Sequence, residues 1–387
     1  MHRTYTIRLY PNKDQEQLMF KSEGCKRFIH NYVLDVQNER FKNGLSHLSH
    51  YDTCKIITEL KKDPKYDWLK EVQVYTLQIQ LKFLEQGFKR FFNRIANPPK
   101  FKKKGKGPIS FPITTEKKFL YYDEATNTVQ ISKFGRVKCK SDLNLNELFG
   151  HKITNARIYR VPNKWLMDIS IDIENHQIDI ANLSGVMGID LGINKLATCY
   201  IDNYSLVFAN INKTPEVIKL ERKLKHLQRA ISRKYEVGNK LHLDKKWQKT
   251  NAIIKLENLV RKIYYRLRCI RENQRHQITR QIVNLNPKTI VIEDLNIQGM
   301  MKNKHLSKSI FDVGFSYFDQ KLMYKCEEKG IKVVKADRFF PSSKTCSNCG
   351  TIKKDLRLKD RTFICPECGL TIDRDLNAAI NLSQYIE

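Results

Sequence analysis

Four of the ten cysteines fall in two C-x2-C pairs, Cys346-Ser-Asn-Cys349 and Cys365-Pro-Glu-Cys368, separated by fifteen residues. No other feature narrows so sharply what this backbone can do. Two knuckles at that separation offer four thiolates that close tetrahedrally on one zinc ion. Gly350 and Gly369 each follow a knuckle and suit the tight turns such loops require. All four positions are cysteine, which leaves no open coordination position, so the Zn2+ reads as structural. The competing reading is two disulfides, and an intracellular setting argues against it. The other six, Cys25, Cys54, Cys139, Cys199, Cys269 and Cys326, follow no pattern and read as small core hydrophobes.

Charge points to the partner. Lys and Arg number 70 against 41 Asp and Glu, a formal net charge of +29 over 387 residues. Such a chain repels itself unless a polyanion neutralises it, and nucleic acid does so through counterion release. An anionic membrane surface is the rival, but no apolar run reaches the about eighteen residues of a spanning helix. The opening MHRTYTIRLYPNKDQ lacks a signal peptide's apolar core, so the expected location is cytoplasmic and nucleoid-associated.

The length allows two or three domains. Residues 1–11 alternate as a strand that Pro11 stops; 14–97 carry helical stripes such as Leu77, Leu81, Leu84 and Phe88. KFKKKGKGP (100–108) reads as a basic loop, and 109–183 as β-rich. A strand GVMGIDLG (185–192) then opens a new unit. Two basic helices between about 215 and 284 are expected to split near Gly238-Asn239, followed by a strand at 288–295. A helix over 308–328, a strand at 332–337 and a helix from Leu376 complete a multidomain α/β chain.

Three acidic residues stand at the ends of these elements. Asp190 lies inside an apolar strand, where a lone carboxylate costs several kcal/mol unless compensated. Glu293 closes the strand Ile290-Val-Ile-Glu293, and Asp375 starts the last helix. Each has a plainer reading: Asp190 paired with a basic residue, Glu293 as a strand exit, Asp375 as a charge favourable to the helix dipole. Together, three carboxylates near strand ends of one sheet suit two Mg2+ ions roughly 4 Å apart, poised for in-line attack on phosphodiesters.

The strand GIDLGINKLAT (188–198), the strand IVIEDLN (290–296), the run FPSSKTCSNCG (340–350) and the ending DRDLNAAIN (373–381) closely resemble TnpB, a family of transposon-encoded RNA-guided nucleases related to type V CRISPR effectors. IRLYPNKDQEQLMF (7–20) and GCKRFIHNYVL (24–34) are similar to that family's opening segment. The resemblance implies an RNase H-like RuvC nuclease domain (185–343 and 371–387) with an inserted zinc ribbon (344–370). It also implies a β-rich wedge domain (1–12 and 108–184) and a helical recognition domain (13–107). By motif, Asp190, Glu293 and Asp375 match the three RuvC carboxylates, with Asp373 the fallback for the third. The implied activity is Mg2+-dependent cleavage of double-stranded target DNA directed by a guide RNA, by a chain whose oligomeric state is open and favoured as a monomer. The alternatives are a guided DNA-binding regulator or a transposition accessory protein that does not cut.

Among the remaining charges, Lys102, Lys103 and Lys104 suit phosphate tracking. Gln78 and Gln80, on a helix with Tyr75 and Lys82, are candidates for reading base edges.

Overall fold

The computed structural model describes residues 2–172, 182–241, 247–357 and 359–385. The chain divides into two compact units, Met1–Asn175 and His176–Glu387.

In the first unit, β1 (His2–Tyr10) buries Ile7 and Leu9 on one face, as the alternation predicts. Pro11 ends it, and Asn12 with Gln15 forms a capping box that starts α1 (Lys13–Lys42). α2 (His50–Leu60) and α3 (Val74–Phe92) pack with α1 around Cys25, Ile29, Leu77, Leu81 and Phe88. Six further strands follow: β2 (Ser110–Pro112), β3 (Leu120–Asp123), β4 (Thr128–Ile131), β5 (Gly135–Lys140), β6 (Ile153–Val161) and β7 (Lys164–Asp172). One short helix, α4 (Leu145–Gly150), interrupts them. They join β1 in an antiparallel sheet of order β2-β6-β7-β1-β5-β4-β3. Of the stretch expected to be β-rich, 173–181 lie outside the described residues.

The second unit opens with an antiparallel meander, β8 (Ser184–Leu191), β9 (Lys195–Ile201) and β10 (Tyr204–Ala209). Two long helices, α5 (Pro215–Leu241) and α6 (Asn251–Asn284), lead to β11 (Pro287–Glu293), which pairs parallel with β8. After α7 (Ile297–Met301), α8 (Ser307–Val313) and α9 (Phe315–Lys329), β12 (Lys332–Ala336) adds parallel to β11. The hairpin β13 (Thr362–Ile364) and β14 (Thr371–Asp373) belongs to the cysteine module, and α10 (Arg374–Ser383) follows. The order β10-β9-β8-β11-β12, three antiparallel strands and then two parallel ones, is an RNase H-like arrangement.

Both faces of this sheet are covered. Met187, Ile189, Ile290 and Ile292 pack with Ile278, Ile282, Phe318 and Leu322 of α6 and α9. The opposite face, with Val291 and Val334, receives Leu382 of α10.

Three expectations need correcting. GIDLGINKLAT is two strands, with the turn at Gly192–Asn194, and neither the β9 register nor β10 was evident from the sequence. The two helices do divide near Gly238-Asn239, but those residues lie in the last turn of α5, which runs on to Leu241. A Cβ on Gly238 would meet the Trp247 ring at 2.2 Å, and the Trp247 indole donates to Asn239 Oδ1 at 2.9 Å, so the glycine seats an aromatic ring. The helix expected over 308–328 is broken at Gly314, whose φ of 68° is left-handed.

Candidate active site and cysteine cluster

Asp190 and Glu293 reach the site on adjacent strands. Ile189 pairs with Ile292 in the parallel register, so the next residues leave β8 and β11 side by side at their carboxyl ends. The two-residue period of a strand puts Asp190 on the same face as Gly188. That is the face α10 covers. A Cβ on Gly188 would lie 2.0 Å from the Ala379 carbonyl oxygen and 2.4 Å from the Ser383 nitrogen. α10 therefore lies with its backbone directly on β8, and Ala378 and Ala379 are buried in the contact. This close approach brings the buried Asp375, in the first turn of α10, to the other two carboxylates.

The electrostatics show that they share one site. Burial raises the Asp190 proton affinity well above the usual carboxylate range; the charges of Glu293 and Asp375 raise it further, and Arg374 opposes them. Glu293 is also raised by burial, against the pull of the Ser342 hydroxyl that donates to its Oε1 and of Arg374. Asp373 is different. Partial burial pushes its carboxyl up, but Lys195 (2.7 Å) and the amides of α10 outweigh this and hold it low. Its Oδ1 accepts from the amides of Asp375 and Leu376, both at 3.1 Å, so it caps the helix. Lys195 stands 3.8 Å from Asp375 as well.

The donor set fits hard divalent cations, because the buried Asp375 and the half-buried Asp190 and Glu293 supply carboxylate oxygen ligands and excess negative charge. A further observation agrees. Thr198 pairs with Asp190 across β9, and its buried hydroxyl has no hydrogen-bond partner.

The four cysteines gather as their spacing predicts. Their Sγ atoms all lie within 4.8 Å of one another, with Cys346–Cys368 at 3.6 Å and Cys349–Cys365 at 3.5 Å. Those separations exclude S–S bonds, which are about 2.05 Å long, and suit four thiolates around one zinc. The Thr351 hydroxyl and amide hold the Cys349 thiol down to about 6, which favours the thiolate a metal needs. Among the described residues this is the one such set of three or more metal-ligating side chains. Of the six remaining cysteines, Cys25, Cys139, Cys199 and Cys326 are buried, whereas Cys54 is half-buried and Cys269 is exposed on α6.

The proposed nucleic-acid contacts sort differently. On α3, Gln78 is exposed and Tyr75 half-buried, but Gln80 is 3% exposed and cannot present its amide to a groove. Gln80 instead pairs with His30 Nδ1 at 3.1 Å and accepts from Lys102 Nζ at 3.1 Å. Lys102 is thus turned inward, and its backbone is bound through both N and O by the Asn31 side chain at 2.8 and 2.9 Å. Lys102 as a whole is nonetheless exposed, as are Lys103 and Lys104. Lys195, Arg374, Ser342 and Thr198 were missed by the sequence reading, since nothing about an isolated Lys, Arg, Ser or Thr marks it. The small residues of D-x-N-A-A were a usable signal, because they match the glycine of the facing strand.

Three family profiles fall along the chain: "Helix-turn-helix domain" at 1–46, "Probable transposase" of the OrfB/IS605 type at 171–304, and "Cas12f1-like, TNB domain" at 315–382. The first covers a strand and one 30-residue helix, so that description does not fit the structure. A "Putative RNA-guided DNA endonuclease" of Streptomyces pristinaespiralis is 27% identical over 98% of this chain and 88% of its own length. The InsQ protein of Escherichia coli K12, given the same description, is 27% identical over 98% and 90%. The endodeoxyribonuclease Cas12f1 of Sulfoacidibacillus thermotolerans is 30% identical over 57% and 50%. In fold, the chain is similar to Cas12f1 solved with guide RNA and target DNA (TM-score 0.54, 14% identity, 99% and 98% covered). No helix among the described residues is long and apolar enough to cross a membrane. The profiles over 171–304 and 315–382, the two near full-length relatives and the fold agree: the chain is similar to RNA-guided DNA endonucleases of the TnpB and Cas12f1 type.

Proposed function

We propose that this protein is an RNA-guided DNA endonuclease. The observation that carries the reading is Asp190, a carboxylate driven toward protonation by burial and by Glu293 and Asp375 at the ends of two central strands. Such a cluster is costly unless cations fill it. The names and bound nucleic acids of the relatives supply the substrate class, and the charge of +29 suits it.

In this reading Asp190, Glu293 and Asp375 hold Mg2+, and Asp373 shapes the helix end without being a ligand. When bound, two such ions supply the charge that favours in-line attack of water on a phosphodiester. Burial under α10 keeps the carboxylates dry and strengthens their hold on cations. The Cys346, Cys349, Cys365 and Cys368 cluster holds Zn2+ within a ribbon at 344–370. The rest of 185–387 forms the nuclease domain, 13–107 the recognition domain, and 1–12 with 108–184 the wedge. Lys103 and Lys104 grip phosphate, with Lys102 shaping the loop, while Tyr75 and Gln78 face the target duplex.

The test supplies purified RNA-free protein with plasmid DNA, with and without co-expressed RNA carrying a chosen guide. Site-specific cutting is expected only with guide and Mg2+, and is expected to move when the guide is changed. Cutting at a site that ignores the guide sequence ends the RNA-guided assignment.

Purified protein is expected to carry about one zinc per chain, and Cys365→Ser to release it and unfold the module, because ligand binding and local folding are one equilibrium. Elemental analysis and thiol titration check this; a zinc-free protein with four oxidised cysteines refutes it.

A further inference from the structure

A buried polar chain runs from the first cysteine knuckle to Glu293. Asn377, fully buried on α10, accepts the Ser347 amide on its Oδ1 at 3.0 Å and donates from Nδ2 to the Thr345 carbonyl at 2.7 Å. Ser347 lies between Cys346 and Cys349. One turn further along, Asn381 donates to the carbonyls of Ser342 and Thr345, both at 2.7 Å. Ser342 is buried too, and its hydroxyl donates to Glu293 Oε1.

Buried amides must be satisfied, and here both are committed to the backbone of 342–347. That segment is therefore fixed to α10, the helix that carries Asp375. The same segment fixes the plane in which Glu293 offers its lone pairs. Two of the three carboxylates are thus set by one assembly, which begins at the cysteine knuckle and ends at a serine hydroxyl.

We propose that Ser342 is a positioning residue of the nuclease site, held in register by Asn377 and Asn381, through which the cysteine module aligns Glu293 with Asp375. The inference rests on the endonuclease reading above. A hydrogen bond to a charged group that is lost at the reacting geometry lowers a rate on the order of ten-fold.

The test compares Ser342→Ala and Ser342→Thr in the full chain, purified with a co-expressed guide-bearing RNA. Ser342→Ala is expected to cut matched plasmid roughly ten-fold more slowly and to bind Mn2+ several-fold more weakly in direct calorimetric titration. Target DNA affinity and zinc content are expected to stay at wild-type values. Ser342→Thr, which keeps the hydroxyl, is expected to restore both cutting and Mn2+ affinity. Wild-type cutting and Mn2+ affinity in Ser342→Ala overturn the inference. So does loss of zinc in parallel with cutting, because the serine is then only part of the module's fold. Asp190→Ala serves as the reference: if it too cuts normally, the endonuclease reading itself has failed, whereas a dead Asp190→Ala beside a fully active Ser342→Ala removes the positioning role alone.

Discussion

Asp190→Ala is expected to reduce cleavage by on the order of a thousand-fold or more, the several kcal/mol that bound divalent ions supply to phosphodiester attack. Target binding is expected to stay near wild type, because recognition rests on base pairing and phosphate contacts. Stability is expected to rise slightly in the metal-free protein. Asp190 is the carboxylate on which burial, Glu293 and Asp375 bear together, and removing its charge relieves all three. Thermal melting without divalent ions, together with single-turnover cutting, checks both halves. Undiminished cutting refutes the metal assignment. Asp375→Ala is expected to be equally inactive. Asp373→Ala is expected to lose a cap worth about 1 kcal/mol and to be only weakened; the reverse ranking makes Asp373 the third metal ligand in place of Asp375.

Gly188→Ala is expected to be as damaging as losing a ligand, although it adds one methyl group. That methyl would sit 2.0 Å from the Ala379 carbonyl oxygen, and helix backbone has no rotamer by which to yield. α10 must move off β8, at a cost of about 3 kcal/mol for overpacking, and Asp375 moves with it. Cutting is expected to be abolished while the first compact unit remains folded. Gly150→Ala is the control, since its Cβ would meet nothing within 4 Å. Proteolysis and cleavage assays distinguish the two; a Gly188→Ala protein that melts and cuts as wild type refutes the close contact.

The site was legible in the sequence where chemistry is unusual for its setting. Cys346, Cys349, Cys365 and Cys368 are marked by spacing, and the structure gathers them. Asp190 is marked by sitting in an apolar strand. Long periodic elements were equally plain, so β1, α3 and β11 lie close to where alternation and stripes put them. What was hidden depends on partners distant in sequence. Gly238 reads as a helix breaker until Trp247 is seen packed on it. Gln80 reads as a groove contact until His30 and Lys102 claim both ends of its amide. The turn within GIDLGINKLAT was missed because apolar residues continue through it, leaving no break in pattern to mark the reversal.

The packing of α10 on β8 also dictates an order of events during synthesis. Asp190 is made roughly 185 residues before Asp375, an interval on the order of 10–40 s at typical elongation rates. Throughout it, the face of β8 beside Gly188 has no helix to cover it, and any carboxylate cluster is at least one member short. The nascent chain therefore holds Asp190 and Glu293 for some time before it can be a nuclease. The cysteine module must also emerge before the helix that completes the cluster. A cutting enzyme assembled in that sequence acquires its hazard last, after the surfaces of the N-terminal unit are already made.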